Sequence, residues 1–329
     1  MCVSMGIAQD QEGAVHHDSL ATNERKFHLW YHELYTEGID KKARFPRDRY
    51  LKLLNRLHSH PQSELFQICT PELIDTKMLK IAHSEDYVNR FLAGELTEKE
   101  EKRIGLRPWT PKMIERTLRL MSGALEATEF VVENGGIAGN MAGGTHHAHR
   151  DFGSGYCVFN DLAVSALHAV ENLGLSKVAI IDLDVHQGDG TASILKDSEN
   201  VLTVSVHCST NFPFRKSMSD VDIPLDPDTT DLEFLKSVHK AIQVCKNFNP
   251  ELILFQAGVD GLETDGLGKL SVSRRGMQKR NIMVLNSFVE KNIPIVVFMG
   301  GGYSKPINHT IDAFEDLFLQ AAMINKSIS

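Results

Sequence analysis

The residues best placed to do chemistry lie in one short run, Asp182-Leu-Asp184-Val-His186-Gln-Gly-Asp189, directly after the apolar segment 177–181. Positions 182, 184 and 186 share a parity, so an extended backbone would turn two carboxylates and an imidazole to one side. Such groups are costly to gather beyond a buried strand unless something positive pairs them. A divalent metal does so, because it accepts carboxylate oxygen and neutral imidazole together. The plain alternative is an Asp- and Gly-rich turn that happens to contain a histidine.

A second concentration precedes it: Gly139-Asn-Met-Ala-Gly-Gly-Thr145-His146-His147-Ala-His149, followed by Gly155-Tyr156-Cys157. Adjacent histidines cannot both face one side of a strand, but a glycine-rich turn can offer both to one cavity. With Asp182 and Asp189 left unpaired, His–Asp pairs of the general-base type are the expected use. Two more apolar runs end in polar residues, one at Gly258-Val-Asp260 and one at Gly300-Gly-Gly-Tyr303. A tyrosine just past a strand can donate to a developing oxyanion.

The elements that must position these groups follow from the apolar pattern. Continuous apolar runs at 177–181, 201–206, 252–257 and 294–299 read as buried strands, with 27–31 as the first strand of the chain. Helices are expected from Arg47 to Leu57, from Ser84 to Phe91, and from Thr110-Pro111 to the stop at Gly135-Gly136. In the last of these, Ile114, Leu118, Met121 and Leu125 would face inward. Asn160 caps a further helix to Leu173. Thr230 and Glu233 form a capping box ahead of Leu232, Leu235, Val238 and Ile242, and Ser273 caps another helix. The alternation predicts an α/β fold, an open, mostly parallel sheet with helices on both faces, as a single catalytic domain over 26–329 behind a disordered tail, 1–25. Ligands in such sheets sit beyond the carboxyl ends of the strands. Asp184, His186, Asp260 and Tyr303 all fall there, on three different strands.

Composition excludes several classes. A formal net charge of −8 with no long Lys/Arg run argues against direct nucleic-acid binding. No apolar run is long enough to cross a bilayer, and the start lacks the basic-then-apolar pattern of a secretory signal. The five cysteines contain no CxxC pair. They read as reduced thiols of a cytoplasmic compartment, with nuclear entry open for a eukaryotic source.

Thr145-His-His147, Asp182 to Asp189, Ala257-Gly-Val-Asp260 and Gly300-Gly-Gly-Tyr303, in this order and spacing, resemble the histone deacetylase family of the arginase/deacetylase superfamily. The likeness runs from about Phe27 to the end. Arg44-Phe-Pro46, Arg103-Ile-Gly105, Gly143-Gly-Thr-His-His147, Phe159-Asn-Asp161 and Gln187 are similar to its class IV-like group. The resemblance implies hydrolysis of an N-acyl-lysine amide, acetyl or longer, on a protein, or of a small acetylated amine. It implies Zn2+ on Asp184, His186 and Asp260, and this ligand set would also hold Fe2+. His147, paired with Asp189, would be general base and then general acid, while His146, paired with Asp182, would act electrostatically. Tyr303 would polarise the amide carbonyl. Gly155, Tyr156, Phe212 and Leu267 would wall a substrate tunnel. A structural K+ or Na+ would use Asp182, the backbone of Asp184 and His186, Ser205 and Val206, with a second near Leu195, Ser198 and Val201.

Two departures matter. The acidic residue that many relatives place at the tunnel rim has no counterpart near Arg107-Pro-Trp109. Leu267 also stands where polyamine-selective relatives carry a Glu, which argues against polyamines. Two rival readings stay in view. A binuclear manganese ureohydrolase would need bridging carboxylates, for which Asp265 is the candidate. A non-catalytic acyl-lysine reader or corepressor module would be favoured by loss of Tyr303, His147 or a metal ligand, and all are present.

Overall fold

One sheet of eight parallel strands carries the described part of the chain, residues 25–328 of this computed structural model. The strands are β1 (Phe27–Trp30), β2 (Phe66–Cys69), β3 (Ile137–Asn140), β4 (Val178–Asp182), β5 (Val201–Cys208), β6 (Val221–Leu225), β7 (Leu252–Gln256) and β8 (Ile295–Phe298). Their order across the sheet is β2-β1-β3-β8-β7-β4-β5-β6. The sheet is therefore fully parallel where a mostly parallel one was expected. Apart from Arg25, the tail expected over 1–25 lies outside the described residues.

Every residue of β3, β4, β7 and β8 is buried, as a sheet covered on both faces requires. Helices Met113–Asn134 and Asp161–Glu171 pack on one face, and Asp231–Phe248, Arg274–Val289 and Asn308–Lys326 on the other. These four buried strands are neighbours, so the loops that leave their carboxyl ends converge on one spot. That spot is where the sequence places its chemistry.

Several element expectations need correction. Helix Met113–Asn134 begins after Thr110-Pro111, because the Thr110 hydroxyl donates to Gly38 O at 2.7 Å and does not cap. Its buried row runs through Met113, Leu120, Ala124, Ala127 and Val131, leaving Ile114 and Leu118 half-buried. Thr230 makes no capping bond and Leu232 is exposed, while Phe234 is buried in its place. The neighbouring Asp231 carboxylate instead binds the N–H and hydroxyl of Ser273, joining two helix starts. A true capping box forms at Thr97 and Glu100, and it opens a helix, Glu98–Ile104, in a stretch that reads merely as polar.

Candidate active site

Strand β4 ends at Asp182, so the parity argument does not reach Asp184 or His186. Two consecutive turns replace it. Asp182 Oδ1 accepts the backbone N–H of Asp184 at 3.1 Å, and Asp184 Oδ1 accepts that of His186 at 3.0 Å. These short carboxylate-to-backbone bonds are what Asp does well in turns. They separate the three side chains: Asp182 goes to His146, whereas Asp184 and His186 turn toward Asp260, which follows β7.

Nδ1 of His186 lies 3.0 Å from Asp184 Oδ1 and 3.0 Å from Asp260 Oδ2. One ligand atom from each of the three falls within 4.8 Å of the others, and all three residues are buried. The carboxylates are fixed from behind. Asp184 Oδ2 accepts from Gly301 N at 2.8 Å and Gln256 Nε2 at 3.2 Å, and Asp260 Oδ1 accepts from Val185 N at 2.9 Å. Two oxygens and a ring nitrogen thus face one point with their outer partners already satisfied. Such a buried set suits a divalent cation of borderline character, and the residues fit one.

The histidine pairs stand beside this triad. His146 Nδ1 is 2.7 Å from Asp182 Oδ2, and His147 Nδ1 is 2.7 Å from Asp189 Oδ1. Burial alone would lower the His146 pKa, but the charges of Asp182 and Asp184 carry it up to about 9. Burial and the charge of His146 push His147 the other way, down to about 4. One ring is therefore a cation near neutrality and its neighbour is a free base. The other oxygen of Asp189 is 3.1 Å from His149 Nε2, a second partner for which the sequence motif gave no role. Burial opposes ionisation of Asp189, but these two hydrogen bonds outweigh it and hold its carboxyl below the usual range.

His146, His147, Asp184, His186 and Asp260 open onto one cavity of about 510 Å³, lined also by Gly155, Tyr156, Phe212, Leu267 and Tyr303, while Asp182 and Asp189 stand behind their histidines. Gly155 has a φ of +52°, and a Cβ there would sit 2.7 Å from the His147 ring. The wall can approach the base only as glycine. Burial raises the Tyr303 phenol, with Arg49 opposing, so it remains a hydrogen-bond donor. The glycines before Tyr303 serve a closer purpose than freedom of the ring. A Cβ on Gly301 would lie 2.0 Å from Asp260 Oδ2, so only glycine lets this backbone reach the ligand carboxylates.

Asp265 accepts from Leu267 N, Gly268 N and Tyr303 N with its two oxygens. It shapes the loop and lies outside the group of Asp184, His186 and Asp260 that could hold a metal. Ser205 is the register partner of Asp182 across β4 and β5, with Val206 next in the strand. Its hydroxyl lies 2.9 Å from His207 Nδ1. Ser198 N donates to Leu195 O and Val201 N to Ser198 O, so the three residues expected at the second cation share one tight turn.

Three supporting residues escaped the sequence reading. Gln256 ends β7 and binds Asp184. The fully buried Arg280 donates to Ala257 O and Gly258 O behind the Asp260 loop. His83 accepts from Asn160 N at 2.9 Å, and its Nδ1 lies 2.9 Å from His149 O. Each acts through a partner remote in sequence, so no local motif announces it.

Comparison with known proteins matches residues 43–315 to the family model described as a histone deacetylase domain. An uncharacterized protein of Picosynechococcus is 37% identical over 287 residues, covering 87% of this chain and 95% of that one. Histone deacetylase 2 of Arabidopsis thaliana is 31% identical over 293 residues, covering 86% of this chain and 76% of that one. Among solved structures, acetylpolyamine aminohydrolase from Burkholderia pseudomallei superposes with a TM-score of 0.74 at 18% identity, over 91% of this chain and 99% of that one. At that identity the last likeness concerns the fold alone.

Proposed function

We infer that this chain, which belongs to the histone deacetylase family, hydrolyses the amide of N-acyl-lysine in a protein or peptide, with one divalent ion on Asp184, His186 and Asp260. It is a hydrolase acting on amides. The observation that carries the finer reading is the shape of the site. An apolar wall of Tyr156, Phe212 and Leu267 with Gly155 leads to a floor lined by the triad, His146, His147 and Tyr303. A methylene chain suits such a wall, and the floor supplies every group that amide cleavage asks for.

The ion, Zn2+ or Fe2+, would supply positive charge at the carbonyl and a lowered pKa for water. The chain's residues do the rest. His147 is neutral at pH 7, and Asp189 holds its Nδ1, which leaves Nε2 to take a proton from the attacking water. The same nitrogen then returns that proton to the departing lysine amine. His146, held by Asp182 with its ring 4.1 Å from that of His147, serves as an electrostatic partner to the base. Tyr303 donates its hydroxyl to the carbonyl oxygen as that oxygen becomes an oxyanion. A K+ or Na+ beside Asp182 and Ser205 would be structural.

Competing readings fit less well. Among the described residues the metal-competent group is Asp184, His186 and Asp260 without Asp265, which disfavours the ureohydrolase. All catalytic groups are present and paired, which disfavours a reader. The test is turnover by metal-loaded protein on acetyl-, octanoyl- and myristoyl-lysine peptides beside small acetylated amines. Hydrolysis of an acyl-lysine peptide is expected. Turnover of the small amines alone would overturn the protein-substrate reading, and binding without turnover would point to a reader.

A further inference from the structure

Apart from Asp184 and Asp260, the described cavity lining carries no carboxylate, and its permanent charges are all cationic: Arg49, Arg103, Arg116 and Lys269. Arg49 and Arg116 are buried at its inner end, whereas Arg103 and Lys269 are exposed at its mouth. This is unexpected for a protein whose formal net charge is −8.

Hydrogen bonds fix the two mouth cations to different walls. The Arg103 carbonyl accepts from Gly155 N, and the next carbonyl, of Ile104, accepts from Tyr156 N at 2.7 Å. Its guanidinium lies over the Phe152 ring at 4.5 Å, so the N–H edge remains available. Across the mouth, the Asn211 amide donates to Leu267 O at 2.8 Å and accepts from Lys269 N at 3.0 Å. Lys269 Nζ spends one donor on Thr210 O at 3.1 Å and keeps two. In the same loop the Asp265 carboxylate is turned onto the backbone N–H groups of Leu267, Gly268 and Tyr303 and does not line the cavity.

We propose that the mouth selects acyl-lysine segments flanked by acidic residues, with Arg103 and Lys269 as the specificity-determining pair. The proposal rests on the deacylase reading and adds the charge of the substrate to it. With the acyl-lysine in the cavity, its neighbouring residues lie well within a Debye length of both cations. An acidic flank gains two exposed cationic partners at the mouth, while a lysine-rich flank or a polyamine meets like charge. The field of the whole protein acts in the opposite sense, because a net negative molecule attracts cations at long range. A preference for acidic flanks would therefore have to come from the mouth.

The experiment uses the metal-loaded full chain and acetyl-lysine peptides of equal length with glutamate, serine or lysine flanks, plus acetylspermidine. The expected kcat/KM ratio of glutamate to lysine flanks is about five- to tenfold at low salt, carried by KM and shrinking as salt rises. The double variant Arg103→Glu, Lys269→Glu should invert the ratio. Arg275→Glu, the same type of charge change at an exposed position outside the cavity lining, should leave it unmoved. A preference for lysine flanks or acetylspermidine, or a ratio unchanged in the double variant, overturns the inference. The same peptides titrated by fluorescence anisotropy into Tyr303→Phe separate the two proposals. If nothing is hydrolysed the deacylase reading fails, while equal binding of all flanks sinks the charge preference whether or not turnover occurs.

Discussion

Tyr303 and the two histidines carry most of the chemistry assigned to single residues. The phenol is held protonated by burial and lies at the cavity floor, where it helps an oxyanion more than a ground-state carbonyl. Tyr303→Phe should keep metal and fold but lose about 10²–10³ in kcat, read by steady-state kinetics beside metal content. Unchanged kcat would mean that the carbonyl is activated without it. His147→Ala should cost about 10² or more in kcat/KM, and His146→Ala less, because only His147 is a free base near neutrality. A reversed order would exchange their roles. These residues were legible in the sequence because each sits in a motif dense in one chemistry. The convergence of Asp184 and His186 was read from strand parity, and the correct cause is a pair of Asp turns past the strand end. Nothing in the sequence distinguishes the two causes, since both need Asp at alternate positions. Asn211, Gln256 and Arg280 stayed hidden because lone polar residues show their purpose only through remote partners.

At the scale of elements, strands buried on both faces announced themselves as unbroken apolar runs, and β4, β7 and β8 fall where they were expected. Strands β2 (Phe66–Cys69), β3 (Ile137–Asn140) and β6 (Val221–Leu225) did not. Each is short and carries residues that break the pattern: Gln67, Gly139 with Asn140, and Pro224 in an edge strand. The helices that cover the site are joined by a contact with a consequence of its own. Neutral His83 presents a lone pair to Asn160 N at the start of helix Asp161–Glu171, while its Nδ1–H serves His149 O in the loop that carries the catalytic histidines. Protonation would set an N–H against an N–H. Burial accordingly pushes its pKa from 6.5 down to about 4. The unfolded chain binds this proton below 6.5 and the folded chain only near 4, so stability from His83 is complete above 6.5 and is lost as pH falls through that window. The stability gap between wild type and His83→Gln, measured by urea denaturation, should narrow by about 2 kcal/mol between about pH 7.5 and pH 5. A gap independent of pH would show that His83 is not held neutral by this contact.

For the whole molecule, the parallel order of the strands matters more than any one motif, because it sets β3, β8, β7 and β4 side by side and brings four loops to one floor. The two carboxylates proposed as ligands, Asp184 and Asp260, follow adjacent central strands, so an ion bound between them would tie those loops together. An ion that binds only the folded chain stabilises it by mass action, by about 4 kcal/mol when its concentration is a thousandfold above Kd. For a chain of this size that corresponds to roughly 5–8 °C in Tm. Chelation of the loaded protein should lower Tm by about that much, with about one ion per chain released. Asp260→Asn provides the control. In the metal-free site, burial and the charge of Asp184 raise the pKa of the Asp260 carboxyl, which favours its neutral form. Asparagine matches that neutral form in shape and keeps the oxygen that accepts from Val185 N. Metal-free Asp260→Asn should therefore melt within about 2 °C of metal-free wild type. Added Zn2+ should raise Tm in the wild type but not in the variant. An equal rise in both would place the stabilising ion somewhere other than between Asp184, His186 and Asp260.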